Sequence, residues 1–166
     1  MDTADYLKQP NDAGETEEFS QQITFLVDTE EYGVDALKVQ EIVRYLQPVK
    51  VPNAPGPILG VINFRGEVIP VVDLRKTFGL SSLQIDKYTV IVIIEIGGKI
   101  FGIVVDRILD MVNIPLSKIN ESSVGNSQAN HKYLKAMVKF DSRLILILDL
   151  DKIITFDLDM IAAPEN

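Results

Sequence analysis

The chain is written twice. Ile23-Thr24-Phe25-Leu26-Val27 returns as Val92-Ile93-Ile94-Glu95-Ile96, and at the same offset Tyr32-Gly33-Val34 returns as Phe101-Gly102-Ile103. Glu41-Ile42-Val43 then matches Asp110-Met111-Val112. After a longer polar loop in the second half, from Ser122 to Asn130, the register resumes. Gly60-Val61-Ile62-Asn63-Phe64 meets Ala136-Met137-Val138-Lys139-Phe140, and Val71-Val72-Asp73-Leu74 meets Ile147-Leu148-Asp149-Leu150. A repeat sustained over this span means one architecture used twice.

Each half reads as five short strands. The first has Ile23–Val27, Tyr32–Asp35, Val39–Arg44, Val61–Phe64 and Val68–Leu74; the second has Val90–Ile96, Ile100–Asp106, Ile108–Ile114, Leu134–Phe140 and Leu144–Leu150. Unbroken aliphatic runs such as Val90-Ile91-Val92-Ile93-Ile94 suit strands covered on both faces. Gly97-Gly98, Arg65-Gly66 and Asp141-Ser142 punctuate them as turns. Five short antiparallel strands close readily into a small barrel, which removes exposed edges. The expectation is an all-β chain of two similar five-stranded barrels packed together, split near Leu80–Lys87. Helical turns are expected over Arg75–Phe78 and Lys152–Phe156, with Asp73 and Asp149 as N-caps worth about 1 kcal/mol each. The domain reading is an acidic flexible tail over 1–18, a first barrel over 19–84, a second over 85–156 and a C-terminal tail over 157–166.

Composition removes several functions. The 166 residues carry a net charge of −8, which opposes a phosphate backbone as partner. Barrels that bind single strands present aromatic platforms in a positive groove, whereas here aromatics are 7% and Tyr32 and Phe101 are paired by the repeat as core positions. No apolar run reaches the roughly 18 residues of a membrane span. The absence of cysteine excludes disulfides and thiol chemistry and favours an intracellular setting.

Catalysis finds little footing. His131 is the single histidine and sits in a polar loop. No His/Cys set fits a metal, and Gly97-Gly98-Lys99 lacks the spacing of a phosphate loop. Asp149 and Asp151 could form a carboxylate pair, but Asp73 repeats the Asp149 position and points to capping. No cofactor is called for.

One segment points to recognition. From Val51 to Arg75 the chain reads VPNAPGPILGVINFRGEVIPVVDLR, two strand-like runs joined at Arg65-Gly66. Gly66 supplies the positive φ of a tight hairpin, so Arg65 is held out at the tip. Its counterpart, Asp141, keeps the hairpin and reverses the charge.

YGVDALKVQEIV (Tyr32–Val43), VPNAP (Val51–Pro55), GVINFRGEVIPVVDLR (Gly60–Arg75), FGIVVD (Phe101–Asp106) and LILILDLDKII (Leu144–Ile154) together resemble the CheW family of bacterial chemotaxis coupling proteins. The resemblance runs from about Phe19 to Phe156. It implies two intertwined barrels related to SH3-like folds, and a non-enzymatic adaptor in the cytoplasm, recruited to membrane receptor arrays without inserting into the membrane. The implied partners are the histidine kinase CheA, through its own CheW-like domain, and the cytoplasmic tips of methyl-accepting chemoreceptors. It assigns receptor contact to Val39, Glu41, Gly60, Arg65 and Val105. By pattern alone Val39 and Val105 are core residues, Gly60 permits close backbone approach and Glu41 is a solvated carboxylate. The alternatives are a CheW-like scaffold of another receptor–kinase pathway, such as pilus-based motility, and a small barrel hydrolase using Asp149 and Asp151.

Overall fold

β-Branched and aliphatic runs dictate strands almost throughout. The computed structural model describes residues 7–10, 16–82, 84–120 and 132–154. The described strands are β1 (Leu7–Pro10), β2 (Thr16–Val27), β3 (Glu30–Asp35), β4 (Val39–Arg44), β5 (Ile58–Phe64), β6 (Glu67–Asp73), β7 (Val90–Ile96), β8 (Lys99–Val105), β9 (Arg107–Pro115), β10 (Leu134–Phe140) and β11 (Arg143–Leu148). Three short helices punctuate them: α1 (Leu74–Thr77), α2 (Leu116–Asn120) and α3 (Leu150–Ile153). The ten expected strands are present, within a few residues at their ends. The loop over 122–130, His131 and the C-terminal stretch expected as a tail lie outside the described residues.

Two sheets form, and the repeat is preserved in their register. Phe25 faces Tyr32 as Ile94 faces Phe101. Gly33 pairs with Ile147 in parallel as Gly102 pairs with Val71. Ile58 and Gly60 bracket a β-bulge at the position where Leu134 and Ala136 bracket another. A third bulge lies between Val39 and Glu41, and its counterpart is where β9 meets β2.

The sheets do not follow the halves of the sequence. One joins β2 and β3 to β9, β10 and β11, with β1 added at the outer end of β2; the other has the order β4-β7-β8-β6-β5. Each repeat therefore gives its first hairpin to one barrel and its last three strands to the other. We call these barrel I (β2, β3, β9–β11) and barrel II (β4–β8). The expected domains over 19–84 and 85–156 are corrected accordingly: that boundary divides the repeats, and the barrels are exchanged across it. The connections supply the reason. Asp106 alone separates β8 from β9, and a three-residue 3-10 turn, Ala36–Lys38, separates β3 from β4. A hairpin reversal needs at least about two residues in a special turn, so Asp106 alone cannot fold β9 back onto β8, and the chain crosses to the other barrel. Residues 7–10 and 16–18, expected in a flexible tail, lie in the β1–β2 hairpin.

Alternation then sorts the core. On β2, Ile23, Phe25 and Val27 join a cluster with Tyr32, Leu74, Val92, Ile94, Phe101 and Leu146, drawn from both barrels. This seam is the largest apolar cluster, and Tyr32 stacks on Phe25 and Phe78 with ring centroids 6.4 and 5.0 Å apart. Smaller clusters fill barrel I around Val112, Ile114, Ile145 and Ile147, and barrel II around Ile62, Ile69, Ile91 and Ile93.

The two interiors differ at one place. Ser20, Gln22 and Thr24 occupy the alternate face of β2 and are buried. Their repeat counterparts are Thr89, Ile91 and Ile93. Gln22 donates to the Ser20 hydroxyl at 2.8 Å, but Gln22 Oε1 and Thr24 Oγ1 have no hydrogen-bond partner among the described residues. An unmet buried hydroxyl costs about 1–3 kcal/mol.

The helices sit slightly N-terminal to their expected spans. The Asp73 carboxylate accepts from the amides of Arg75 at 2.9 Å and Lys76 at 3.4 Å, so it caps α1 as expected. Asp149 stands at the N-cap of α3, yet its side chain makes no cap hydrogen bond, which corrects that half of the expectation.

Two outcomes follow from this architecture. Fragments 1–82 and 83–166 expressed separately each lack the strands that complete either barrel, so neither should melt cooperatively by circular dichroism. Mixed, they should recover a single cooperative transition, and independently folded fragments would refute the exchange. Thr24→Val should raise unfolding stability by about 1 kcal/mol in denaturant titration, because it removes an unpaired buried hydroxyl at nearly constant volume.

Candidate interaction surface

The β5–β6 turn carries the exposed site. Arg65 and Gly66 both have positive φ, 51° and 85°, and Asn63 Oδ1 accepts from the Gly66 amide at 3.1 Å. This turn aims Arg65 outward with 75% of its side chain exposed, opposite a Glu41 side chain that is 37% exposed. The Arg65 guanidinium donates to the Glu41 carboxylate, and its Cζ lies 5.3 Å from the centre of the Phe64 ring. Glu41 is on β4 and Arg65 follows β5, and those strands are the two ends of the sheet order. The ion pair therefore reaches across the gap where barrel II closes. As an exposed pair it contributes no more than about 1 kcal/mol.

Barrel I solves the same closure with a different residue. Asp110, the counterpart of Glu41, accepts from Arg143 Nη1 at 3.3 Å. Arg143 also donates to Glu31 at 3.1 and 2.7 Å. The hydrogen bond to Glu31 is the largest cause holding the Arg143 pKa above its ordinary value. The acid is kept by the repeat, while the arginine moves from the tip to the first residue of the returning strand. Sequence alignment of the halves showed only the charge reversal at the tip and missed this substitution of partners.

The other expected contact residues are placed differently. Val39 is half-buried at the start of β4 and packs against the seam. Val105 is fully buried in the seam, and Gly60 is buried at the bulge. Gly60 has φ 151°, and a Cβ there would lie 2.2 Å from the Val49 carbonyl oxygen. That carbonyl accepts from Val61, and Val49 donates back to Val61, both at 2.8 Å. Gly60 thus lets the segment after β4 lie against β5. The structure brings Glu41 and Arg65 together at the surface, with Val39 beside them on β4. Gly60 and Val105 can influence that surface only through the backbone and core that support it.

Apolar side chains lie exposed along the same stretch of chain: Leu37, Ile42, Leu46 and Val49. Periodicity assigned Ile42 to a strand but could not show that its face is uncovered, because the cover depends on which strand sits beside β4.

Nothing in this geometry assembles a reaction centre among the described residues. Asp149 and Asp151 line a cleft of about 240 Å³ with Lys38, Lys135, Ser20 and Gln22. No group of three or more His, Cys, Asp or Glu among the described residues could hold a metal ion. No described helix is long and apolar enough to cross a membrane.

Curled five-stranded sheets, an exposed ion pair and neighbouring apolar side chains are what a binding module needs. Comparison with known proteins gives its family: a CheW-like domain model matches residues 21–157. A chemotaxis protein CheW from Klebsiella aerogenes is 34% identical over 86% of this chain and 86% of its own length. One from Bacillus subtilis is 31% identical over 87% of this chain and 92% of its own. The crystal structure of the scaffolding protein TtCheW from Thermoanaerobacter tengcongensis superposes with a TM-score of 0.76 at 29% identity, covering 84% of this chain and 94% of that one. The chain belongs to the CheW-like family.

Gly60→Ala should lower unfolding stability by about 3 kcal/mol or more, since the new methyl meets backbone at a positive-φ position. Ala136, its counterpart, already carries a methyl group, so Ala136→Gly should cost only about 1 kcal/mol. Denaturant titration of both variants checks the contrast.

Proposed function

We propose that this protein is a non-enzymatic adaptor of chemotaxis signalling that joins methyl-accepting chemoreceptors to the histidine kinase CheA. The observation that carries the reading is family membership across nearly the whole described chain, supported by an exposed ion pair beside exposed apolar side chains. The relatives named as chemotaxis proteins and the neighbour named as a scaffolding protein support the same class. The adaptor works in the cytoplasm and is drawn to membrane receptor arrays through its partners.

The receptor contact is assigned to Arg65 and Glu41, with Val39 at its border. A guanidinium fixed on a short hairpin can give paired hydrogen bonds to a carboxylate or to backbone carbonyls. Glu41 presents and orients that guanidinium in the free protein. Gly60 and Val105 act beneath the contact, by setting the bulge and the seam. The kinase contact is assigned to exposed apolar surface, with Leu37, Leu46 and Val49 as its candidates. Barrel-against-barrel docking of this kind buries roughly 1,200–2,000 Å² when stable.

Titration with a receptor-tip fragment tests the first assignment. Arg65→Ala should weaken binding by about 1–3 kcal/mol, the range of a charged hydrogen bond. The melting temperature should fall little, because the ion pair it breaks is exposed. Unchanged receptor affinity would remove Arg65 from the contact. For the kinase domain, calorimetry at low and physiological salt should give nearly equal affinities, and a steep salt dependence would contradict an apolar interface.

A further inference from the structure

We infer that Arg75 is a positioning residue that fixes the angle between the two barrels, locking their seam on one side only. Asp106 is the single residue between β8 of barrel II and β9 of barrel I. Its amide donates to the Leu26 carbonyl at 2.9 Å, and its Oδ2 accepts from the Asp28 amide at 2.8 Å. Both bonds tie the crossover to the end of the β2–β3 hairpin in barrel I. From the other side, Arg75 of α1 grips the same carboxylate, Nε to Oδ1 at 3.1 Å and Nη2 to Oδ2 at 2.6 Å. Arg75 Nη1 also donates to the Ser81 carbonyl at 3.1 Å, in the segment between the repeats. Nη2 stands 3.8 Å from Asp28 Oδ1.

One guanidinium therefore joins barrel II, barrel I, the crossover and the inter-repeat segment. The Arg75 and Asp106 side chains are only 15% and 20% exposed, so water screens them little. The hydrogen bond to Asp106 is the largest cause raising the Arg75 pKa, and the group stays charged throughout the working pH range.

The repeat provides the comparison. Where the first repeat has Arg75, the second has Asp151, and the counterparts of Asp106 and Asp28 are Leu37 and Gly97. None of the three charges of the lock is reproduced. The matching side of the seam instead holds the cleft of about 240 Å³ lined by Asp35, Lys38, Ile96, Asp149 and Asp151. The apolar seam supplies most of the attraction between barrels, but burial of apolar area is non-directional. Paired charged hydrogen bonds have a preferred geometry, so they select the angle.

The inference concerns the geometry of the fold itself and can be tested without any partner. The chain has no cysteine. Spin labels at Glu67→Cys on β6 and Lys118→Cys on α2, both exposed, then report one distance between the barrels. The parent should give a narrow distribution. Arg75→Met and Asp106→Asn should each broaden it roughly twofold, as expected when an interface loses a discrete arrangement. Arg143→Met removes an ion network of the same kind inside barrel I and should leave the width unchanged. Unchanged widths in both seam variants, or equal broadening by Arg143→Met, would overturn the lock.

Discussion

The apolar seam between the barrels is the constraint on which the rest of the molecule depends. It is built from the faces of β2, β3, β7 and β8 that alternate away from the barrel interiors, closed by Leu74 and Leu150 from the short helices and by Phe78 just after α1. Each repeat contributes strands to both barrels, so neither barrel can leave the other without losing its own members. The seam is therefore both a packing interface and a consequence of chain connection. This is why a protein with modest strands, most of six or seven residues, can act as one rigid body.

Rigidity of that kind suits a fold whose function is to hold surfaces in place. A binding module contributes geometry, and geometry requires that surface groups be held from below. The Arg65–Glu41 pair shows the chain of support. Gly60 admits the Val49 segment against β5, the bulge sets the hairpin, the hairpin's positive-φ turn aims Arg65, and the closing of barrel II brings it to Glu41. Buried residues in such a chain, Gly60 and Val105 among them, can reach the surface only through the backbone and core that support it.

Duplication did not produce two equal halves. The backbone register is kept nearly residue for residue, while charges were redistributed over it. Arg65 and Arg143 close equivalent gaps from different positions, Arg75 has an aspartate counterpart, and the polar Gln22 and Thr24 have isoleucine counterparts in the other barrel. Backbone pairing tolerates such divergence because ladder hydrogen bonds do not depend on side-chain identity. Two similar frames with different charges can then present different faces to different partners.

The sequence by itself determined the strands, the duplication, the hairpin and the family. Those are local or repeated signals: period-two alternation, turn residues at Arg65-Gly66 and Asp141-Ser142, and matched runs. It also placed Asp73 as a cap, because a carboxylate two residues before a free amide acts within one turn. Tertiary structure alone decided which hairpin belongs to which barrel. Repeat boundaries are visible in sequence, but strand partners are chosen by the reach of Asp106 and the Ala36–Lys38 turn. It alone decided that Asp149 leaves its cap unused, that Val105 is interior, and that Arg75, Asp106 and Asp28 meet. Those residues are separated by dozens of positions in the chain. Charged contacts at such range have no periodicity, and they exist only once the exchanged barrels have closed against each other.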